Sequence, residues 1–313
     1  MTSGLARFQR CGFDPGNPAR SFGLYNLIMQ NTDQSLLRQL SRNSSRYRDP
    51  LAAIDWAGLD CDHFWLPEPA LSLYGLPEYA TLAVEVRRRL SQYEFVNVMC
   101  CGLWLESVFL HRLSGRLDLR LPRADYEYFL HEMREEAGHS LMFLKAIEAS
   151  GLELPPDAWR APRFADVMVH RMPASGALFW LATVIAEDVP DKFNRYVRQN
   201  ADAINPAVNQ ICSLHIVDEA RHIALARSRF EQALRHAPAW RKTLLTPVMN
   251  LLLRQLVDTF YVPPASFYEL AGLTHGAWWR RMARGNAVHG EFIAQCLAPT
   301  LRMLEGYGLK PRI

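Results

Sequence analysis

Apolar residues recur along this chain at helical spacing, and almost nowhere do they alternate as in a strand. No Asn-Gly or Asp-Gly hairpin turn interrupts them. The pattern predicts a long helix over about 78–113, closed by Ser114-Gly115. Pro122 opens a second helix, which Gly151 closes with Pro155 and Pro156 just beyond. A third is expected from just after Pro173 towards Asn200, and a fourth from near Pro206 to about His236. Two more follow over about 241–260 and 276–304, separated by Pro263-Pro264 and a short turn. Before all of these, Pro15, Pro18, Pro50, Pro67 and Pro69 cut the chain into short pieces. One early helix is expected over 34–46, with Asp33 as its N-cap. The reading is therefore all-α: an N-terminal extension (1–77) packed on a helical domain (78–313).

Composition narrows the classes. A chain of 313 residues can bury a large core, and 49% hydrophobic with 21% charged residues fits a globular protein. A formal charge of +3 without a Lys/Arg block leaves no footprint for nucleic acid. The N-terminus lacks an apolar core of signal length, and the longest apolar run (174–186) is too short to span a bilayer. Six cysteines without a C-x-x-C pair read as reduced thiols, so a cytoplasmic location is expected.

The chemistry lies in a repeated acid–histidine pattern. The second long helix carries Arg134-Glu135-Glu136-Ala137-Gly138-His139, and the fourth carries Asp218-Glu219-Ala220-Arg221-His222. Glu136/His139 and Glu219/His222 are both at i, i+3, which sets carboxylate and imidazole about 60° apart on one helix face. One Glu-x-x-His is a weak signal, since charged residues are common on solvated helix faces. Two copies on alternate helices are much stronger. Carboxylate-bridged two-metal bundles add one glutamate from each of the other two helices. Glu106 supplies one, inside the uncharged stretch from Val98 to Leu110. Glu187 supplies the other, ending an apolar run on the third helix. A lone acid in such a run is costly unless paired or metal-bound. The separations agree too: Glu106 and Glu136 lie 30 residues apart, Glu187 and Glu219 32.

Two competing acids are set aside: Glu94 is expected to be the more exposed acid of the first helix, and Asp188 points about 100° away from Glu187. His215 lies four residues before Glu219 and seven before His222, on the same stripe, and is taken as a third histidine ligand. Glu135 and Asp218 precede the ligating glutamates, placed to accept the outer N–H of the opposite histidine, Glu135 from His222 and Asp218 from His139. Pairing with Arg134 or Arg221 is their plainer reading. Gly102, Met99, Phe143, Thr183 and Trp180 would wall the substrate pocket, though they would be core in any bundle.

Oxygen and imidazole donors without thiolate fit Fe, Mn or Zn, and four bridging carboxylates favour two iron ions that deliver two electrons to O2. Together Glu106, Glu136-x-x-His139, Glu187 and His215-x-x-x-Glu219-x-x-His222 resemble the ligand set of the para-aminobenzoate N-oxygenase (AurF-like) family, over roughly residues 80–235. The resemblance implies a ferritin-like four-helix bundle with additional N- and C-terminal helices. It implies oxidation of a small-molecule amine to a hydroxylamine, and onward to nitroso or nitro, in specialised biosynthesis. O2 would be the co-substrate, an external electron donor such as a reductase would serve it, and the chain would form a homodimer. The rivals are a C–H hydroxylase or desaturase, a radical-generating subunit and an iron-binding bundle. Relatives of the ribonucleotide reductase small subunit place a tyrosine where this chain has Phe143, which counts against the second.

Overall fold

The computed structural model describes residues 34–159, 161–172, 176–235 and 237–313. Asp33, Pro173, His236, Cys11, Pro15, Pro18 and the start of the 174–186 run, all used in the sequence reading, lie outside them. About three-quarters of the chain is helical, and no strand occurs among the described residues.

Helix α1 spans 34–44, and two short helices follow, α2 (Pro50–Ala53) and α3 (Pro77–Ala80). Four long helices come next: α4 (Val84–Ser114), α5 (Arg123–Ser150), α7 (Ala177–Gln199) and α8 (Pro206–Arg235), with the short α6 (Arg163–Arg171) between the second and third. The chain ends with α9 (Ala239–Tyr261), α10 (Ala265–Leu270), α11 (Gly276–Gly285) and α12 (Ala287–Gly306). The ferritin-like fold is thus a bundle of two hairpins, α4 with α5 and α7 with α8, joined where α5 meets α8. Helix α9 lies against α7 and α4, α10 against α4, and α12 against α7.

Several boundaries differ from the sequence expectation, each for a local reason. The pattern over 78–113 is two helices, because Thr81 caps α3 and the chain re-enters helix only at Val84. The stretch 276–304 divides at Asn286, whose side chain accepts from the Val288 N–H and caps α12. Helix α6 had no clear signal, being nine residues hemmed in by Pro155, Pro156 and Pro162. Gly151 ends α5 in the left-handed conformation, φ 61°, as a C-terminal glycine does.

Helix α4 is the central element. From Leu90 to Gly102 every residue is buried, so the helix has no solvent face there. Its length and apolarity would suffice to cross a membrane, but its most apolar stretch is two-thirds buried inside the bundle (67%). Trp65, Leu66, Leu71 and Leu73, N-terminal to it, join the main core. A smaller cluster of Leu37, Leu40, Leu113, Tyr128, Phe129 and Leu225 seats α1 over the ends of α4, α5 and α8.

Candidate metal centre

Four helices converge their acids and imidazoles at the bundle centre. Helix α4 brings Glu106; α5 brings Glu132, Glu135, Glu136 and His139; α7 brings Glu187; α8 brings His215, Asp218, Glu219 and His222. All ten are buried. The donor atoms fall into two sets, Glu106/His139/His215/Glu219 and Glu132/Glu136/Glu187/His222, and within each set they lie within 4.8 Å of one another.

Glu136 and Glu219 lie between the sets. Glu136 Oε2 is 3.3 Å from His139 Nδ1, and its Oε1 is 3.2 Å from His222 Nδ1. Glu219 mirrors this, with Oε1 3.2 Å from His139 Nδ1 and Oε2 3.2 Å from His222 Nδ1. Each carboxylate therefore offers one oxygen to either side, the arrangement of a bridging ligand. His215 Nε2 points at Glu219 (3.3 Å) and Glu106 (3.5 Å). The Asn194 side-chain amide, 3.1 Å from Nδ1, holds that ring in place.

The outer nitrogens are met crosswise. His222 Nε2 lies 3.0 Å from Glu135, and His139 Nε2 lies 3.4 Å from Asp218. A carboxylate beyond the ring fixes the proton on Nε2 and turns the Nδ1 lone pair inward. The plainer reading of these acids also has its share, since the Arg221 guanidinium pairs with both Glu135 and Asp218.

Electrostatics ask for cations here. Burial drives Glu136 well above the ordinary carboxylate range, with Glu106 adding to it, and Glu187 likewise, with Glu219 adding. Burial pushes Glu132 up to about 8. Burial alone would lower His139 and His222, but the surrounding carboxylates raise both. Glu106 Oε2, Glu132 Oε2 and Glu187 Oε1 are buried with no hydrogen-bond partner. Orphaned buried oxygens that converge, facing imidazole nitrogens, fit bound metal ions with hard or intermediate preference.

All seven residues read as ligands from the sequence are brought together, and Glu135 and Asp218 lie behind them. Glu132 and Asn194 were missed. Glu132 had a signal, because it precedes Glu136 by the same four residues that separate His215 from Glu219. Two other expectations need correction. Glu94 is 4% exposed, not an exposed acid; it is bonded to the Ser72 N–H and hydroxyl, away from the cluster. Trp180 does not wall the cavity at the cluster but packs under the Arg116 guanidinium, 4.7 Å from its ring centroid. Asp188 does point elsewhere, to Arg227 and Thr300. Cys61 is exposed, unlike the other described cysteines.

Beside the cluster is a cavity of roughly 20 Å³, walled by residues including Val98, Met99, Gly102, Phe143, Pro190 and Phe260. That is room for about one water molecule. A second cavity shares Leu105, Phe109 and Ala186 as walls and runs under Val169 and Met172. Phe143 lies 6.4 Å from His139, ring centroid to centroid, and no phenol stands at that position.

The family described as p-aminobenzoate N-oxygenase AurF matches residues 30–308. The chain belongs to this family. Among its relatives are the uncharacterised proteins Rv0885 of Mycobacterium tuberculosis and Mb0909 of Mycobacterium bovis. Each is 26% identical over 246 residues, covering 75% of this chain and 71% of the relative. In fold it is similar to an R2-like ligand-binding oxidase with an aerobically reconstituted Mn/Fe cofactor. That match has a TM-score of 0.53 and 16% identity, covering 88% of this chain and 92% of the other. Another R2-like ligand-binding oxidase, after photoconversion, gives a TM-score of 0.52 at 15% identity over 88% and 92% of the two chains. AurF-family membership and the paired carboxylate–histidine sets make this an oxidase or oxygenase with a di-iron-type site.

Proposed function

We propose that the chain is an O2-dependent di-iron N-oxygenase that converts a small-molecule amine to a hydroxylamine, and onward to nitroso or nitro in further turnovers. The observation that carries this reading is His215. A third imidazole joins Glu106, His139 and Glu219 in a chain of the AurF family, and that extra histidine is the feature that sets the resemblance apart from ferritin-like bundles in general.

Glu106, Glu136, His139, Glu187, His215, Glu219 and His222 would hold two iron ions. When bound, these supply two electrons to O2, so that one oxygen atom goes to the substrate nitrogen and the other leaves as water. The balance is R–NH2 + O2 + 2e⁻ + 2H⁺ → R–NHOH + H2O, and an external donor, such as a reductase, restores the two electrons.

The protein's own part is to select and hold the substrate. Apart from the ligands Glu106, Glu187 and His215, the cavity walls offer only Asn194 as a polar side chain. Away from those ligands the apolar walls suit the hydrocarbon part of an amine substrate. The space beside the cluster holds about one water molecule, and the second cavity, under Val169 and Met172, is the proposed way in for a substrate. The same resemblance carries a homodimer in specialised biosynthesis as part of the proposal, and the reduced cysteines carry a cytoplasmic location.

The test is to reduce the iron-loaded protein, add O2 and survey amines by mass spectrometry. Mass gain on nitrogen is expected. Gain on carbon, or a tyrosyl radical signal, contradicts the reading.

A further inference from the structure

The bundle repeats itself inside one chain. Exchanging α4/α5 with α7/α8 takes Glu106 to Glu187, Glu135 to Asp218, Glu136 to Glu219 and His139 to His222. It also takes the set Glu106/His139/His215/Glu219 onto Glu187/His222/Glu132/Glu136, residue for residue. A single change of chemistry breaks the match. Where one set has the imidazole of His215, the other has the carboxylate of Glu132, and each precedes its bridging glutamate by four residues.

Glu132 lies among the donors of the centre, and the Arg116 guanidinium acts on it through space without an ion pair. Glu132 is 6% exposed, and its Oε2 is buried with no hydrogen-bond partner. It makes no ion pair with a lysine or arginine of the described residues. A structural acid at such a depth would carry its own cation or donor; this one faces Glu136, Glu187 and His222 within 4.8 Å.

We infer that Glu132 is a fifth carboxylate of the metal centre, and that it makes the ion held with Glu187 and His222 the oxygen-rich member of an unequal pair. One set offers two carboxylates and two imidazoles; the other offers three carboxylates and one imidazole. Around a divalent ion the first set is formally neutral and the second carries one excess negative charge. Carboxylate oxygens suit Mn(II), whereas imidazole shifts preference towards Fe(II). The Glu132 set therefore takes a larger manganese share than its neighbour when both metals compete. This rests on the reading of the cluster as a two-metal centre and is independent of which substrate is oxidised.

The experiment loads the metal-free full chain with equimolar Mn(II) and Fe(II) without O2, then crystallises it. Anomalous scattering on either side of each absorption edge gives the Mn:Fe ratio at each site. The expected result is a ratio several-fold higher at the Glu132/Glu187/His222 site, with a Glu132 oxygen bonded to that ion. Glu132→Gln keeps the volume and removes the charge, and should bring the two ratios together; Glu132→Asp should keep them apart. Equal ratios in the wild type, an unchanged bias in Glu132→Gln, or Glu132 turned away from an occupied site overturns the inference. Should the glutamine variant fail to fold, the wild-type ratios and the Glu132–ion bond decide alone. Two bound ions without bias defeat this inference only, whereas no bound ions also remove the two-metal reading.

Discussion

The carboxylate of Glu135 on α5 lies 3.0 Å from Nε2 of His222 on α8, and the converse pair, Asp218 with His139, spans 3.4 Å in the opposite direction. The two histidines are thus each held by an acid from the other Glu-x-x-His helix, so that α5 and α8 fix each other's donors. Carboxylates in this position orient the ring and raise its basicity, and their loss typically costs 10–100-fold in metal affinity. Glu135→Gln and Asp218→Asn should each weaken metal binding by about that factor, read by competition with a chelator of known affinity. Affinity within twofold of the wild type in both would reduce them to partners of Arg221.

Gly102 faces Phe143 so closely that an added Cβ would meet the ring at 2.6 Å. Alanine in place of glycine favours a helix by roughly 1 kcal/mol, while overpacking a core costs about 1–3 kcal/mol. The second effect should win, because Phe143 is itself packed against His139 and His215 (6.4 Å and 5.3 Å between ring centroids). Gly102→Ala is expected to lower thermal stability by about 1 kcal/mol and to shrink the cavity beside the cluster. A variant more stable than the wild type would show that the ring moves freely.

Glu94 gives the fold a pH dependence that does not involve the metal centre. Burial raises its pKa to about 8, partly offset by hydrogen bonds from Ser72. The folded state therefore keeps a proton that the unfolded chain releases near the ordinary glutamate pKa of about 4.3. The stability this contributes is complete below that value and is lost as pH rises towards 8, with a slope of about 1.4 kcal/mol per pH unit at its steepest. Glu94→Gln should flatten the loss of melting temperature between pH 5 and 8. An equally steep decline in the variant would place its origin in another group.

The sequence made the site far more legible than the edges of the fold. Glu136, His139, Glu219 and His222 stood out because a metal needs donors one turn apart, and helical spacing states that directly. Glu106 and Glu187 were visible as acids at the centre and end of apolar runs. Glu132 was not, although it stands to Glu136 as His215 does to Glu219. A carboxylate beside His131 and Arg134 looks like part of a solvated face, and only the helix packing shows it buried. Glu94 was misjudged for a related reason. Its neighbours Gln92, Tyr93 and Asn97 look like a polar surface, yet all are buried, because α4 is enclosed on every side and its pattern carries no exposed face.

The central claim is that the two donor sets hold one ion each. It is tested most directly by loading the chain with Fe(II) without O2, removing unbound metal, and counting iron per chain. Two irons are expected, falling when His139 or His222 is replaced by alanine. One iron or fewer in well-loaded, folded wild-type protein would contradict the account.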